Sequence, residues 1–341
     1  MKAVQSRQPS PSGPAGPSGP GKVWGNVSAI ADIALRGRDF INEADFTAAE
    51  LHYILVKARN MKQQERSGIK HRLLADQTLA MIFAKPSTRT RVSFEVGMYQ
   101  LGGGSLFLSS HELQLGRGET IADTAQVLSR YVDGIMIRTF SHDDVVELGR
   151  YADVPVINGL TDLRHPCQAM ADLLTIMEHK GDLDGLVLTY VGDGNNVANS
   201  LLTAASMLGM QVRVAAPRGY EPDSEIVAAA QKTAGGRGEV SIVRNPKEAA
   251  AGADVVYTDV WASMGKESEA ADRGNAFAEF SVDEQLLGLA KADAVFMHCL
   301  PAQRGREVSA GVIDGPQSVV FDQAENRLHA QKAIMALLMA K

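Results

Sequence analysis

The sequence predicts an α/β protein built from two parallel-sheet domains. Short apolar runs alternate with amphipathic segments along most of the chain, a pattern typical of parallel sheets with helices on both faces. The alternation restarts after a turn at 182–185, so the domain boundary should fall on the helix before it. A length of 341 residues, 45% of them hydrophobic, suits about two domains.

The first half begins with a helix that Asp45 or Thr47 can cap, because either side chain can accept from the first free N–H groups. An apolar strand at 78–84 then leads into a second helix, which Ser87 or Thr88 can cap and glycines 102–104 end. The remaining predicted elements of this half are strand 106–108, loop 109–118, helix 119–132, strand 134–138, helix 143–151, strand 154–157 and a helix opening at His165-Pro166.

The second half repeats the alternation. Its predicted strands are 186–191, 211–215, 240–243, 255–258, 294–297 and 318–321. Its predicted helices are 196–208, 224–232, 246–251 and a last one from about 326 to 339. We therefore divide the ordered chain into residues 36–177, residues 183–324 and a C-terminal helix within 325–341.

Composition limits the class of protein. A net charge of -6 provides no basic field for nucleic acid, and no apolar run reaches the roughly 20 residues that span a bilayer. Two distant cysteines, Cys167 and Cys299, cannot form a disulfide framework, so a cytoplasmic location is expected. Residues 1–24 are rich in Pro, Ser and Gly and predict a disordered extension; they hold one arginine, unlike a transit peptide.

An anion site is predicted where the strand at 78–84 meets the following helix. The junction reads Lys85-Pro86-Ser87-Thr88-Arg89-Thr90-Arg91. A helix N-terminus offers free N–H groups and the positive end of the dipole, and arginine can bind a phosphate through two parallel hydrogen bonds. The alternative is an ordinary capped surface helix with two solvated arginines.

Five further predicted strands end in chemically unusual loops, and in open α/β sheets such loops meet at one crevice. They are Arg138, His165-Pro166-Cys167-Gln168, Gly192-Asp193-Gly194-Asn195-Asn196, the segment 259–265, and His298-Cys299-Leu300-Pro301. Each has a structural alternative: a solvated arginine, a helix cap, a buried small thiol. A dinucleotide site at 192–194 is disfavoured, because Val197 stands where a third glycine belongs and the next strand ends without an acid.

These motifs together resemble the aspartate and ornithine carbamoyltransferases. Ser-Thr-Arg-Thr-Arg after a strand is similar to the family's carbamoyl-phosphate motif. The ornithine branch is matched by His-Pro-Cys-Gln at 165–168, Asp-x-Trp-x-Ser-Met-Gly at 259–265 and His-Cys-Leu-Pro at 298–301. The resemblance covers the chain from about Phe40 and implies a carbamoyl-phosphate domain, an ornithine domain and a C-terminal helix that returns to the first.

The resemblance implies a site for each substrate. Carbamoyl phosphate would be bound by Ser87, Thr88, Arg89, Thr90, Gln114, Arg138, His165, Gln168, Cys299, Leu300 and Arg327. L-Ornithine would be bound by Asn196, Asp259, Ser263 and Met264. Catalysis would involve Asp259, Cys299, Arg138 and His165, with no metal and no organic cofactor. Cys299 is expected to orient the amine rather than attack as a nucleophile.

The resemblance also implies a homotrimer, in which Gln114 reaches the site of a neighbouring subunit. Citrulline synthesis or its reversal remains open, as do two other functions. Carbamoyl transfer to putrescine or an acylated ornithine is less favoured, because putrescine has no α-carboxylate for the Ser263-Met264-Gly265 loop. A non-catalytic binding subunit is disfavoured by the presence of Arg89, His165 and Cys299.

Overall fold

The computed structural model describes residues 34–110, 112–113, 118–262 and 270–341. Within these residues the strands are β1 (Thr78–Phe83), β2 (Gly104–Ser109), β3 (Gly134–Arg138), β4 (Val156–Leu160), β5 (Val187–Val191), β6 (Gln211–Ala215), β7 (Glu239–Val243), β8 (Val255–Thr258) and β9 (Val295–His298). They form two parallel sheets, ordered β2-β1-β3-β4 and β7-β6-β5-β8-β9.

Helices cover these sheets. They are α1 (Ala48–Arg66), α2 (Thr88–Gln100), α3 (Ile121–Leu128), α4 (His142–Tyr151), α5 (Pro166–Lys180), α6 (Asn196–Met207), α7 (Ser224–Thr233), α8 (Pro246–Ala250), α9 (Ala270–Ala276), α10 (Glu284–Leu287), α11 (Ala310–Ile313) and α12 (Val320–Met339). Helix α12 packs against α5, α1 and α2, so the C-terminus returns to the first sheet's helices. The predicted two-sheet α/β class is confirmed.

Local chemistry explains where several helices begin. Thr47 caps α1 in a capping box with Glu50, whereas Asp45, the other candidate, lies in a short 3-10 helix at Glu43–Asp45. Ser87 caps α2 by accepting from the backbone N of Thr90. Pro166 occupies the first turn of α5, where a missing N–H costs nothing.

The C-terminal elements correct one prediction. Residues 318–321 were expected to form a strand, but only Ser318 makes a parallel bridge, to Phe296, and α12 already starts at Val320 rather than near 326. Val319 and Val320 are both buried while Phe321 is 73% exposed, so the run lacks the alternation of a strand. Packing of α12 against α5 overrides the β propensity of these residues.

Other differences are smaller. The third helix is shorter than expected at both ends: Thr120 caps it, so it starts at Ile121, and it ends at Leu128 rather than at 132. Helices α9, α10 and α11 were not predicted; the last two are only one turn long and carry little periodic signal. No helix among the described residues is long and apolar enough to cross a membrane. The predicted extension at 1–24 lies outside the described residues.

Candidate active site

A cleft of about 970 Å³ lies at the carboxyl ends of both sheets. Its walls come from segments that follow β1, β3, β4, β5, β6, β8 and β9, together with Arg273 of α9 and Arg327 of α12. Parallel strands bring their carboxyl ends to one edge, which explains why residues far apart in sequence meet here. The predicted site residues on this wall are Ser87, Thr88, Arg89, Thr90, Arg138, His165, Gln168, Asn196, Asp259, Cys299, Leu300 and Arg327.

The N-terminus of α2 forms one end of the cleft. The Ser87 hydroxyl caps the helix at 3.2 Å from the Thr90 backbone N and donates to the Thr90 hydroxyl at 3.1 Å. Arg89 donates to the Leu300 carbonyl at 2.6 Å and thus joins the first sheet's loop to the second sheet's. Arg91 instead pairs with Glu95 on the exposed face of the helix.

Two further guanidiniums make this end of the cleft cationic. Buried Arg327 donates to the Gln168 side-chain carbonyl at 2.8 Å and to the Thr90 hydroxyl at 3.1 Å. Arg138 is 7% exposed at the end of β3. Burial, then the charges of Arg327 and Arg89, lowers the pKa of Arg138 to about 9, so it remains charged at neutral pH. Three cations around a helix N-terminus suit a dianionic phosphate.

His165 contributes a neutral polar group beside these cations. Its backbone N donates to the Ser200 hydroxyl at 2.9 Å, which fixes the start of α5. Burial, and then the charges of Arg327, Arg138 and Arg89, holds the imidazole pKa well below its usual value. Nδ1 of this ring is buried and has no hydrogen-bond partner among the described residues. A neutral ring can therefore hydrogen-bond a carbonyl without adding charge.

A carboxylate and a thiol, carried by loops of the second sheet, also line the cleft. Asp259 Oδ1 accepts from the Cys299 thiol at 3.0 Å and from the Val260 backbone N at 2.8 Å. Its Oδ2 accepts from the Asn195 side chain at 2.8 Å. Burial, and then Asp259, raises the Cys299 pKa well above its usual value, so the sulfur stays protonated. This pair can orient a cationic or neutral amine, and it disfavours Cys299 as a thiolate nucleophile.

A buried ion pair that no sequence motif predicts joins two loops of the second sheet. Arg273 of α9 donates to Asp193 Oδ2 at 2.8 Å and to the Trp261 carbonyl at 2.7 Å. Asp193 lies in the Gly-Asp-Gly loop, one of the strand-end loops predicted to line the crevice, but no residue pattern near Arg273 indicates that it pairs with Asp193. Asn196, also on the wall, donates to the Thr161 carbonyl at 2.5 Å.

One cluster has the atoms of a metal site. Ligand atoms of Asp259, His298 and Cys299 lie within 4.8 Å of one another. Protein groups already satisfy these atoms in part, since the thiol donates to Asp259 and the backbone N of Leu300 donates to His298 Nδ1. Gln114, Ser263 and Met264, three residues assigned by resemblance, lie outside the described residues.

Models of known protein families match both halves of the chain. The model of the "aspartate/ornithine carbamoyltransferase, carbamoyl-P binding domain" matches residues 38–178, and that of the family's "Asp/Orn binding domain" matches 184–338. An ornithine carbamoyltransferase of Anoxybacillus flavithermus is 59% identical over 310 residues, 91% of this chain and 99% of that protein. An "ornithine carbamoyltransferase, anabolic" of Pyrococcus furiosus is 57% identical over 308 residues, 90% of this chain and 98% of that protein.

Solved structures agree with these sequence matches. The structure of ornithine carbamoyltransferase from Pyrococcus furiosus superposes with a TM-score of 0.88 at 56% identity, covering 90% of this chain and 98% of that one. That from Thermus thermophilus gives 0.80 at 42% identity, covering 88% of this chain and 98% of that one. The chain therefore belongs to the aspartate/ornithine carbamoyltransferase family.

Proposed function

We propose that the protein transfers the carbamoyl group of carbamoyl phosphate to the terminal amine of L-ornithine, giving L-citrulline and phosphate. The observation that carries the proposal is the composition of the cleft. A cationic group at the N-terminus of α2 and a hydrogen-bonded carboxylate and thiol line the same cavity. Such a site can bind an acyl phosphate beside an amine.

Carbamoyl phosphate would lie against residues 36–177 and α12. Ser87, Thr88, Arg89 and Thr90 would bind the phosphate oxygens, with Arg327 behind them. The carbamoyl group would contact Arg138, His165, Gln168, Cys299 and Leu300. As the amine attacks, the carbonyl oxygen gains negative charge, and fixed donors aimed at it stabilise the transition state. Arg138 and neutral His165 are suited to that role because both lie in the wall beside Thr90.

The amine would lie against residues 183–324. A terminal ammonium has a pKa of about 10.4, so it must lose a proton before it can attack. Asp259 and Cys299 would orient the neutral amine towards the carbamoyl carbon. The new C–N bond then forms, the C–O bond to phosphate breaks, and the departing phosphate takes up the amine proton. Asn196, Ser263 and Met264 would bind the α-amino and α-carboxylate groups.

We further propose a cytoplasmic homotrimer that serves arginine biosynthesis. The relative named "anabolic" supports that direction, and two free thiols, Cys167 and Cys299, suit a reducing compartment. Large apolar side chains remain exposed along α2 and on the edge strand β2: Val92, Val96, Tyr99, Leu106 and Phe107. A neighbouring subunit would cover them and receive Gln114, which follows β2.

The test is a citrulline assay with carbamoyl phosphate and four acceptors: ornithine, putrescine, N-acetylornithine and aspartate. We expect strong preference for ornithine. Preference for another amine would refute the proposed acceptor, and no product with any of them would refute carbamoyl transfer. Arg89→Ala should abolish turnover with an unchanged circular-dichroism spectrum; near-normal turnover would refute its phosphate role.

Shared sites can be tested by complementation. Gln114→Ala and Arg89→Ala protomers should each be inactive as pure oligomers. After mixed dissociation and reassembly, some sites would combine an intact Gln114 with an intact Arg89, and activity should return. Light scattering should give three times the protomer mass. Mixed oligomers without activity would argue against a site shared between subunits.

A further inference from the structure

A buried carboxylate one helical turn from Gln168 forms a hydrogen-bond network under the cleft. Asp172 Oδ1 accepts from the side-chain amides of Gln168 and Gln323, each at 2.7 Å. Its Oδ2 accepts from the Tyr257 hydroxyl at 3.1 Å. All four side chains are essentially inaccessible to solvent, and of them only Gln168 also lines the cleft.

The chemistry of the two neighbours of Gln168 determines which way its amide points. A carboxylate oxygen can accept from Gln168 Nε2, whereas a guanidinium only donates. Nε2 therefore faces Asp172, and Oε1 faces Arg327 at 2.8 Å. Burial raises the pKa of Asp172 to about 7, although the hydrogen bonds from Gln168, Gln323 and Tyr257 act to lower it. Oδ1 can accept a hydrogen bond whether or not the carboxyl group is ionised. An amide oxygen has two lone pairs, so one remains for a ligand N–H.

We propose that Asp172 is a positioning residue for the carbamoyl group: it holds the Gln168 amide so that its oxygen can accept from the carbamoyl NH₂. This inference rests on the proposed function, because it takes carbamoyl phosphate as the ligand. Without Asp172 the amide nitrogen would have no acceptor, and only the hydrogen bond from Arg327 to Oε1 would hold the side chain. The amide could then turn its oxygen away from the carbamoyl NH₂, and recognition of the carbamoyl group would weaken.

The same carboxylate connects the two walls of the cleft. Gln323 lies one turn before Arg327 on α12, and its Oε1 accepts from the backbone N of His298 at 2.9 Å. Tyr257 lies on β8, two residues before Asp259. Asp172 on α5 thus contacts the elements that lead to the cationic end and to the Asp259–Cys299 pair. The positioning effect on Gln168 must therefore be separated from a general structural effect.

Two stable probes make that separation. Phosphonoacetamide carries a phosphonate and a carboxamide, whereas inorganic phosphate has no amide for Gln168 to recognise. Dissociation constants of both are measured by titration calorimetry on the intact protein. We expect Asp172→Ala to weaken phosphonoacetamide about tenfold, the loss of roughly one hydrogen bond, while phosphate changes less than twofold. Asp172→Asn, which retains an acceptor oxygen, should restore phosphonoacetamide affinity to within threefold of the original.

Controls decide between positioning and structure. Thr175→Val removes another buried hydrogen bond between α5 and α12, from Asn326 at 2.9 Å, and should change neither constant. In a Gln168→Ala background, Asp172→Ala should weaken phosphonoacetamide by less than a further twofold. If Asp172→Ala does not fold, Asp172→Ser, which leaves room for an accepting water, takes its place.

Three results would overturn the inference: equal weakening of both probes, no change in either, or full additivity with Gln168→Ala. A failure of the proposed function is recognised separately, as an absence of citrulline from the unaltered protein with ornithine. The ratio of the two dissociation constants does not depend on turnover, so the two failures are distinguishable.

Discussion

Replacing Asp259 with asparagine tests the amine side of the cleft most directly. The carboxylate accepts three hydrogen bonds, from Val260 N, the Cys299 thiol and the Asn195 amide. An asparagine NH₂ must therefore face a donor in either orientation. Asn195 cannot flip to compensate without cost, because its Oδ1 accepts from the backbone N–H groups of the first turn of α6.

The magnitude follows from these contacts. Loss of one hydrogen bond to a charged group costs about 1.5–3 kcal/mol, which is about 10- to 150-fold in kcat/KM if the contact is needed in the transition state. The variant also removes the negative charge that would orient the amine. We expect kcat/KM for ornithine to fall about 10²-fold or more in Asp259→Asn, with a melting temperature lower by a few degrees.

A matched control lies at the other end of the same strand. Asp254 immediately precedes β8, and Asp259 immediately follows it. The Asp254 carboxylate accepts from Val187 N at 2.9 Å and from the Lys291 ammonium at 2.7 Å. Asp254→Asn should lower the melting temperature to a similar extent and leave kcat/KM within twofold. If Asp259→Asn retained kcat/KM within threefold while losing the same stability, the assignment of Asp259 to the amine would be refuted.

Three other perturbations have defined outcomes. Arg89→Lys should reduce kcat/KM for carbamoyl phosphate about 10²-fold, because a point charge cannot hold both the Leu300 carbonyl and a phosphate; a loss under threefold would contradict this. Gly194→Ala should raise the ornithine KM and lower the melting temperature, since the new Cβ would lie 2.1 Å from the backbone N of Pro222; unchanged values would count against this packing. His165 has a lowered pKa, so the unfolded chain binds a proton at this ring before the folded chain does, and the free energy of unfolding should fall as pH drops below about 6.5. Urea titrations at several pH values should show a weaker dependence of that free energy on pH in His165→Gln than in the original protein. The same pH dependence in both proteins would disprove this.

Residues adjacent in sequence produced the most accurate predictions. Ser87 or Thr88 was expected to cap α2, and Ser87 does so, because a cap needs only a hydroxyl and an N–H three residues apart. The strand before it was equally clear, because β1 lies buried in the sheet's interior and reads as a continuous apolar run. Residues 318–321 misled the same reasoning, since their side chains favour a strand but only Ser318 bridges β9, and α12 begins at Val320.

The sequence by itself therefore determined which chemical groups the protein carries at its strand ends, and the order of the elements that present them. Tertiary structure decided how those groups interact. The contact between Arg327 and Thr90 joins positions 237 residues apart, and Arg273 reaches Asp193 across 80. Burial then set the protonation of His165 and Cys299. Caps and apolar runs act within a few residues and are legible in one dimension, whereas desolvation and hydrogen-bond partners depend on how the whole chain packs.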